Sequence, residues 1–395
     1  MENQGKKNKI DDRLQRIANV LLLNASFTDN IGLLNGKMGI TIFFYQYARI
    51  TGKSEYEDHA GRVLDEVFEE INISTPISFN KGLAGIGWGI EFLAQNGYIS
   101  ADTNEVLEDV DATMFKSLRF GNIKEIGLSN GLMGIGFYLL MRVKNHANND
   151  DSISTLMVKY YIIFLIDEIE RGTRETTGLI SEYHPDSYHN KNSKPFSVIE
   201  QDFPMLIWLL AELLDQDIFN FKVEKIISRL MGLLKEIVYK QSPNIHRLLL
   251  LNSIEKLKSS FSVLINDTRP IAGVTVSERT EIFGILKELS NALISQIDDI
   301  TLESEISGKS AVSGCCFGSI TWLYGQLLSY TYDSGFGKKL DYWKTKAVNY
   351  YCKGGYSFNS ILEDLPDLNI LLFGSVNGLI NSSSHSKCKN FLLKI

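Results

Sequence analysis

Three stretches of the chain place glycines directly ahead of apolar runs at helical spacing: GLLNGKMGITIFFYQYA from Gly32, NKGLAGIGWGIEFLAQ from Asn80 and GLSNGLMGIGFYLLM from Gly127. Glycine in a helix interior costs about 1 kcal/mol relative to alanine, so the arrangement must answer a packing or a binding demand. The motif glycines Gly36, Gly82 and Gly131 are separated by about 46 and about 49 residues, a period that suits tandem helical hairpins. A phosphate-cradling loop is excluded, because no Lys-Ser/Thr pair follows the glycines and no strand precedes them. Two roles remain. Packing is the expected one, with glycines letting helix starts crowd where a Cβ would clash; cradling of a ligand is the other.

Between these runs lie amphipathic ones, SEYEDHAGRVLDEVFEEI from Ser54 and TNEVLEDVDATMFKSL from Thr103, whose polar starts suit capping. A helix that is apolar all round must be buried, and an amphipathic one can cover it. The alternation predicts inner helices at about 36–51, 82–96, 131–145, 202–215, 245–258, 316–332 and 371–381. Covering helices are predicted at about 10–23, 54–72, 103–117, 153–171, 221–240, 277–297 and 338–352. Seven of each predict an all-α fold, a closed α/α toroid of about seven helical hairpins over residues 1–395, with the inner N-terminal ends at one mouth.

The fourth and fifth repeats, EQDFPMLIWLLAEL from Glu200 and SPNIHRLLLLNSIEKL from Ser242, replace the glycines by a proline near the helix start. The polar and aromatic segment at about 173–201 is long for a helix connection, hence a functional or disordered insert. A second break, at about 259–279, is expected to hold a short β-like segment or an irregular insertion.

The net charge of −7 leaves no electrostatic footprint for nucleic acid or an anionic membrane. No run reaches the roughly 20 apolar residues that span a bilayer, and MENQGKKNKIDDRLQRI carries no secretory signal. A soluble, cytoplasmic chain that is not an integral membrane protein is therefore expected. Cys315, Cys316, Cys352 and Cys388 are too few and too clustered for a disulfide framework, so reduced thiols or metal ligands are expected.

The phrases NGKMGI, KGLAGIGWG, NGLMGIG and CCFGSITW resemble the repeats of the lanthionine synthetase C-like (LanC-like) family. The resemblance spans nearly the whole chain and is densest in the first three repeats and at Cys316–Gly318. It implies cyclisation of a ribosomally made precursor peptide, in which a cysteine thiol adds to dehydroalanine or dehydrobutyrine to make a thioether. It also implies that peptide as partner, together with a dehydratase or another maturation enzyme, and no nucleic acid. The implied cofactor is zinc, which converts the thiol into the nucleophilic thiolate. The family holds it with a cysteine from the fifth repeat and an adjacent Cys-His pair from the sixth. Here Cys316-Phe317-Gly318 carries phenylalanine in the histidine position, SPNIHRLLL has no cysteine, and LLFGSVNGL from Leu371 supplies neither residue type. The family's motif histidine of the fourth repeat aligns with Gln201 or Asp202.

A rearranged metal set can be written from the same two repeats: His246 with Cys315 and Cys316, an acceptable donor set for zinc. The alternative is a structural histidine beside two inert, buried cysteines. His184 and His189, with Asp186 between them, are candidate acid, base or ligand groups in the insert, against the simpler reading of solvated loop histidines. His385 and Cys388 lack a companion pair. Glu69-Glu70 and Asp298-Asp299 fit solvated helix faces better than a glycosidase dyad, although α/α toroids also house glycoside hydrolases. The functional expectations are thus a lanthionine synthetase-like cyclase, a zinc-free peptide-binding or scaffold protein, and, more remotely, a glycoside hydrolase.

Overall fold

In each of the three glycine-led repeats, the first N–H of the inner helix is taken by a carbonyl seven residues earlier. In the computed structural model, Lys37 donates to the Asn30 carbonyl at 2.8 Å, Leu83 to Pro76 at 2.9 Å and Leu132 to Glu125 at 2.9 Å. The structure describes residues 2–121, 123, 125–146, 153–174, 180–181, 198–199, 202–266, 274–307, 317–351 and 357–376. The preceding loop therefore lies over the helix start, and it satisfies a donor that would otherwise have no intrahelical partner.

That wrapping explains the glycines. A Cβ on Gly36 would stand 2.5 Å from the Asn30 carbonyl oxygen, and one on Gly131 would stand 2.5 Å from that of Glu125. The crowding expected between helix starts is thus mainly crowding within a repeat. Between repeats it occurs at Gly32, where a Cβ would meet the Lys81 Cα at 2.3 Å. Neighbouring loops are also joined by backbone bonds, Leu34 N–H to Asn80 at 2.9 Å and Phe79 N–H to Ser129 at 2.8 Å.

Sixteen α-helices follow among the described residues. The first six are α1 (Glu2–Asn24), α2 (Lys37–Thr51), α3 (Ser54–Glu70), α4 (Leu83–Gln95), α5 (Thr103–Val106) and α6 (Glu108–Arg119). Next come α7 (Leu132–His146), α8 (Ile153–Gly172), α9 (Phe203–Asp215), α10 (Asn220–Tyr239) and α11 (Asn244–Asn266). The last are α12 (Val276–Gln296), α13 (Asp299–Ser307), α14 (Phe317–Thr331), α15 (Ser334–Tyr351) and α16 (Phe358–Val376). Within the insert, β1 (Ile180–Ser181) pairs in parallel with β2 (Val198–Ile199).

The two helix kinds read from the sequence are both present. All residues of α2 from Lys37 to Ala48 are buried, whereas α3 buries one face, Tyr56, His59, Ala60, Val63, Leu64 and Val67. Each such apolar side chain contributes about 1.5–3 kcal/mol on full burial. Among the described residues the chain is all-α apart from the two-residue strand pair, and its sixteen described helices are consistent with the expected α/α toroid.

The helices divide into two compact units. In one, α2 packs on α3, α4 and α16, while α14 packs on α15 and α16. The last described helix therefore lies against the first inner helix. Leu365 fills the space beside Gly39, and Asn369 donates to the Gly39 carbonyl at 3.0 Å. In the other unit α9 lies against α7, α10 and α11, α7 packs on α8, and α11 packs on α12. Buried ion pairs fasten these pairs of helices: Arg142 of α7 reaches Asp111 of α6 at 2.7 Å, and Arg279 of α12 forks onto Glu224 of α10 at 2.7 and 2.8 Å.

Several boundaries depart from the sequence expectation. The seventh inner helix, expected at about 371–381, runs instead from Phe358 to Val376 with Pro366 inside it. Proline removes one helical hydrogen bond, but burial of Ile361, Leu365, Leu368 and Leu372 offsets the loss. Ser357 caps this helix by accepting the Ser360 N–H at 3.2 Å. The fifth inner helix continues to Asn266, through the start of the expected break, and α12 then begins on a capping box of Thr275 and Glu278. Ser54 is the first helical residue of α3 rather than its cap, and α13 was not expected.

The geometry predicts opposite outcomes for two glycines. Gly131→Ala is expected to cost about 2 kcal/mol or more, because the loop backbone must move. Gly232→Ala, on an exposed turn of α10 with no heavy atom within 4 Å of the added carbon, is expected to stabilise by up to about 1 kcal/mol. Urea denaturation of both variants against the parent checks the pair.

Candidate functional site

Family chemistry is expected at the starts of the inner helices, where the dipole end is positive and N–H groups point outward. At two of these positions a carboxylate from another segment already takes those groups. Glu305 of α13 accepts the Asn244 N–H at 2.9 Å and the Ile245 N–H at 3.1 Å, closing the start of α11. Asp367 of α16, itself buried, accepts the Gly318 N–H at 2.8 Å, the Ser319 N–H at 2.6 Å and the Ser319 hydroxyl at 2.7 Å, closing the start of α14. Gly318 is obligatory there, since a Cβ would fall 2.6 Å from the Asp367 Oδ2.

Asp202, immediately before α9, does not cap that helix with its side chain. Its Oδ2 accepts the Leu128 N–H at 3.1 Å, in the loop ahead of α7. Burial pushes its carboxyl above the ordinary value of 3.8, and the Leu128 N–H only partly opposes this. Charge is thus well used at Asp367, where both oxygens are engaged, and costly at Asp202.

Of the residues expected from the sequence, His246 is the third residue of α11 and is buried, directly after the two N–H groups held by Glu305. Cys315, Cys316, His184 and His189 lie outside the described residues, as do Asp186, Gln201, His385 and Cys388. Phe317, in the family's histidine position, is the first residue of α14. Its ring lies 4.9 Å from that of Tyr350 and 6.0 Å from that of Trp343, both on the covering helix α15, so it packs between helix layers. Among the described residues no three His, Cys, Asp or Glu side chains gather as a metal site.

A polar cluster that the sequence reading missed joins three inner helices. Glu212 of α9 bridges Lys144 of α7 at 3.1 Å and Lys256 of α11 at 3.2 Å, and Asp215 also pairs with Lys256. Burial pushes Lys144 down, and the Lys256 cation adds to this against the pull of Glu212. Burial acts on Lys256 too, but two carboxylates outweigh it and leave it raised. In the sequence these residues read only as scattered charges inside apolar runs.

The family model described as Lanthionine synthetase C-like protein matches residues 28–193, the stretch that holds the three glycine-led repeats. Over those residues the chain is similar to that family, as its motifs imply. None of the curated proteins matches the sequence. At family level the match supports a lanthionine synthetase-like peptide-modification protein. No described helix is long and apolar enough to cross a membrane.

Two Asp→Asn variants are expected to act with opposite sign. Asp367→Asn leaves three donors with a weaker, partly mismatched partner and is expected to destabilise by about 2 kcal/mol. Asp202→Asn keeps an acceptor for Leu128 and removes a disfavoured charge. A group whose folded pKa is raised contributes stability that is present below its unfolded value and lost as pH rises through the folded one. Asp202→Asn is therefore expected to be at least as stable as the parent at pH 7, and to lose part of the decline in stability above pH 3.8. Denaturant midpoints measured from pH 4 to pH 8 check both variants.

Proposed function

We propose that the chain is a lanthionine synthetase-like peptide-modification protein acting on a ribosomally made precursor peptide. The observation that carries this reading is the family match over residues 28–193, laid on three loops that fold over their helix starts in one manner. In the proposed reaction the sulfur of a peptide cysteine bonds to the β-carbon of dehydroalanine or dehydrobutyrine. The double-bond electron pair moves to the α-carbon, which takes up a proton in place of the one lost from sulfur. A dehydratase must supply the unsaturated residue, and a cytoplasmic location belongs to this reading. His184 and His189 are the proposed proton carriers.

Zinc would supply the thiolate character of the attacking sulfur, and Cys316, Cys315 and His246 are the proposed ligands. The described residues do not by themselves make up such a set, so no step is routed through the metal. Phe317 favours a second reading, in which the protein holds a precursor peptide or scaffolds a maturation complex without metal. Its ring belongs to the packing between α14 and α15, and the first free N–H groups of α14 are given to Asp367.

Zinc analysis of purified, tag-free protein decides between the two. The metal-dependent reading expects about one zinc per chain, lost in Cys316→Ala. Less than stoichiometric zinc, unchanged in Cys316→Ala, removes it. Precursor-peptide binding that persists in that variant then supports the second.

A further inference from the structure

Two lysines and two carboxylates balance one another among the inner helices: Lys144 of α7, Glu212 and Asp215 of α9, and Lys256 of α11. Buried ion pairs of this kind add little stability over apolar packing of the same volume. The proposed cyclisation does not use them either. Lys144 stands about 18 Å along α7 from its start at Leu132, well away from the loops that fold over the helix starts.

The two lysines are held differently. Lys256 is clamped by two carboxylates, Glu212 Oε1 at 3.2 Å and Asp215, and keeps 10% of its side chain exposed. Among the described residues Lys144 meets one, donating to Glu212 Oε2 at 3.1 Å, and it keeps 22% exposed. Glu212 is itself shared, since its Oε1 also accepts the Trp208 indole N–H at 3.2 Å. Arg142, the neighbouring cation on α7, turns instead to Asp111. Burial disfavours the ammonium form of Lys144, and the Lys256 cation works in the same direction against Glu212 and Asp215. A desolvated amine beside a second cation is a nucleophile near neutral pH.

We infer that Lys144 is a carbonyl-binding site, at which its amine condenses with an uncharged aldehyde to form an iminium ion. The Nζ lone pair bonds to the carbonyl carbon, the carbon–oxygen bond breaks, and the oxygen leaves as water with two hydrogens taken from the nitrogen. Charge is conserved, because the ammonium becomes an iminium. Lys144 gives one of its three ammonium hydrogens to Glu212. The iminium keeps one N–H and the positive charge, so that pairing survives the reaction. Lys256 could not make the same exchange without giving up one of its two carboxylates. An aldehyde without charge fits, since each cation of the cluster already faces a carboxylate and leaves none for an anionic ligand.

Reductive alkylation of the full chain with propanal and cyanoborohydride, read by peptide mass spectrometry, tests the site. At pH 7 Lys144 is expected to be alkylated at least about tenfold faster than the exposed Lys225 and Lys235, with Lys256 unmodified. In urea that preference is expected to vanish. Asp215→Asn, on an exposed position, removes a carboxylate that favours the ammonium and leaves Glu212 more strongly drawn to Lys256. It is expected to speed alkylation of Lys144 while the rates at Lys225 and Lys235 stay unchanged. Lys144→Arg keeps a cation opposite Glu212 and is expected to lose the modification with an unchanged circular dichroism spectrum. Alkylation of Lys144 no faster than that of the exposed lysines overturns the inference. So does a preference that persists in urea, or a Lys144 rate that Asp215→Asn leaves unchanged or slows.

Discussion

The hydrogen bond from the first helical N–H to a carbonyl seven residues upstream sets the frame for the glycine-led part of this structure. It folds each loop over the start of its own inner helix, within 2.5 Å of where a Cβ would stand on Gly36 or Gly131. Once that loop is in place, its remaining backbone groups can reach the next repeat, as Leu34 reaches Asn80 and Phe79 reaches Ser129. The glycines thus serve backbone closeness, first within a repeat and then between repeats. Side-chain packing takes over deeper in the helices, where Leu365 lies beside Gly39 and Leu209 beside Gly136.

Two inner helices outside the three glycine-led repeats have carboxylates at their starts. Glu305 accepts the first two N–H groups of α11, and Asp367 accepts those of Gly318 and Ser319 in the first turn of α14, each setting a negative charge on the positive helix end. This changes the chemistry available there. A helix start that offers free N–H groups favours a thiolate placed beside it, whereas one already holding a carboxylate offers less. The residue in the family's histidine position has meanwhile become part of the packing against Tyr350 and Trp343.

Much of the helix plan was legible in the residues, because burial all round and burial on one face leave different periodicities. That logic placed α2, α4, α7, α9 and α14 within a residue or two. It failed at α16, where the glycine-bearing segment from Leu371 suggested a helix at about 371–381 and the burial of Leu365 and Leu368 carries the helix back to Phe358. The site was less legible. Asp367 stands 49 residues from the Gly318 N–H that it accepts, and nothing in the local pattern of LEDLPDLN marks one of its three acids as buried. Glu212 reads as an interruption of an apolar run until Lys144 and Lys256 appear on either side of it.

By itself the sequence determined the alternation of inner and covering helices, the period of the glycine-led repeats and the similarity of residues 28–193 to the LanC-like family. These follow from near-neighbour constraints, helical periodicity and the absence of a Cβ, which a linear pattern records. The tertiary structure alone decided which carboxylate closes which helix start, that Phe317 turns toward a covering helix, and that Lys144 and Lys256 share Glu212. Each of these depends on a partner many residues away, and distance through space is what a one-dimensional pattern does not carry.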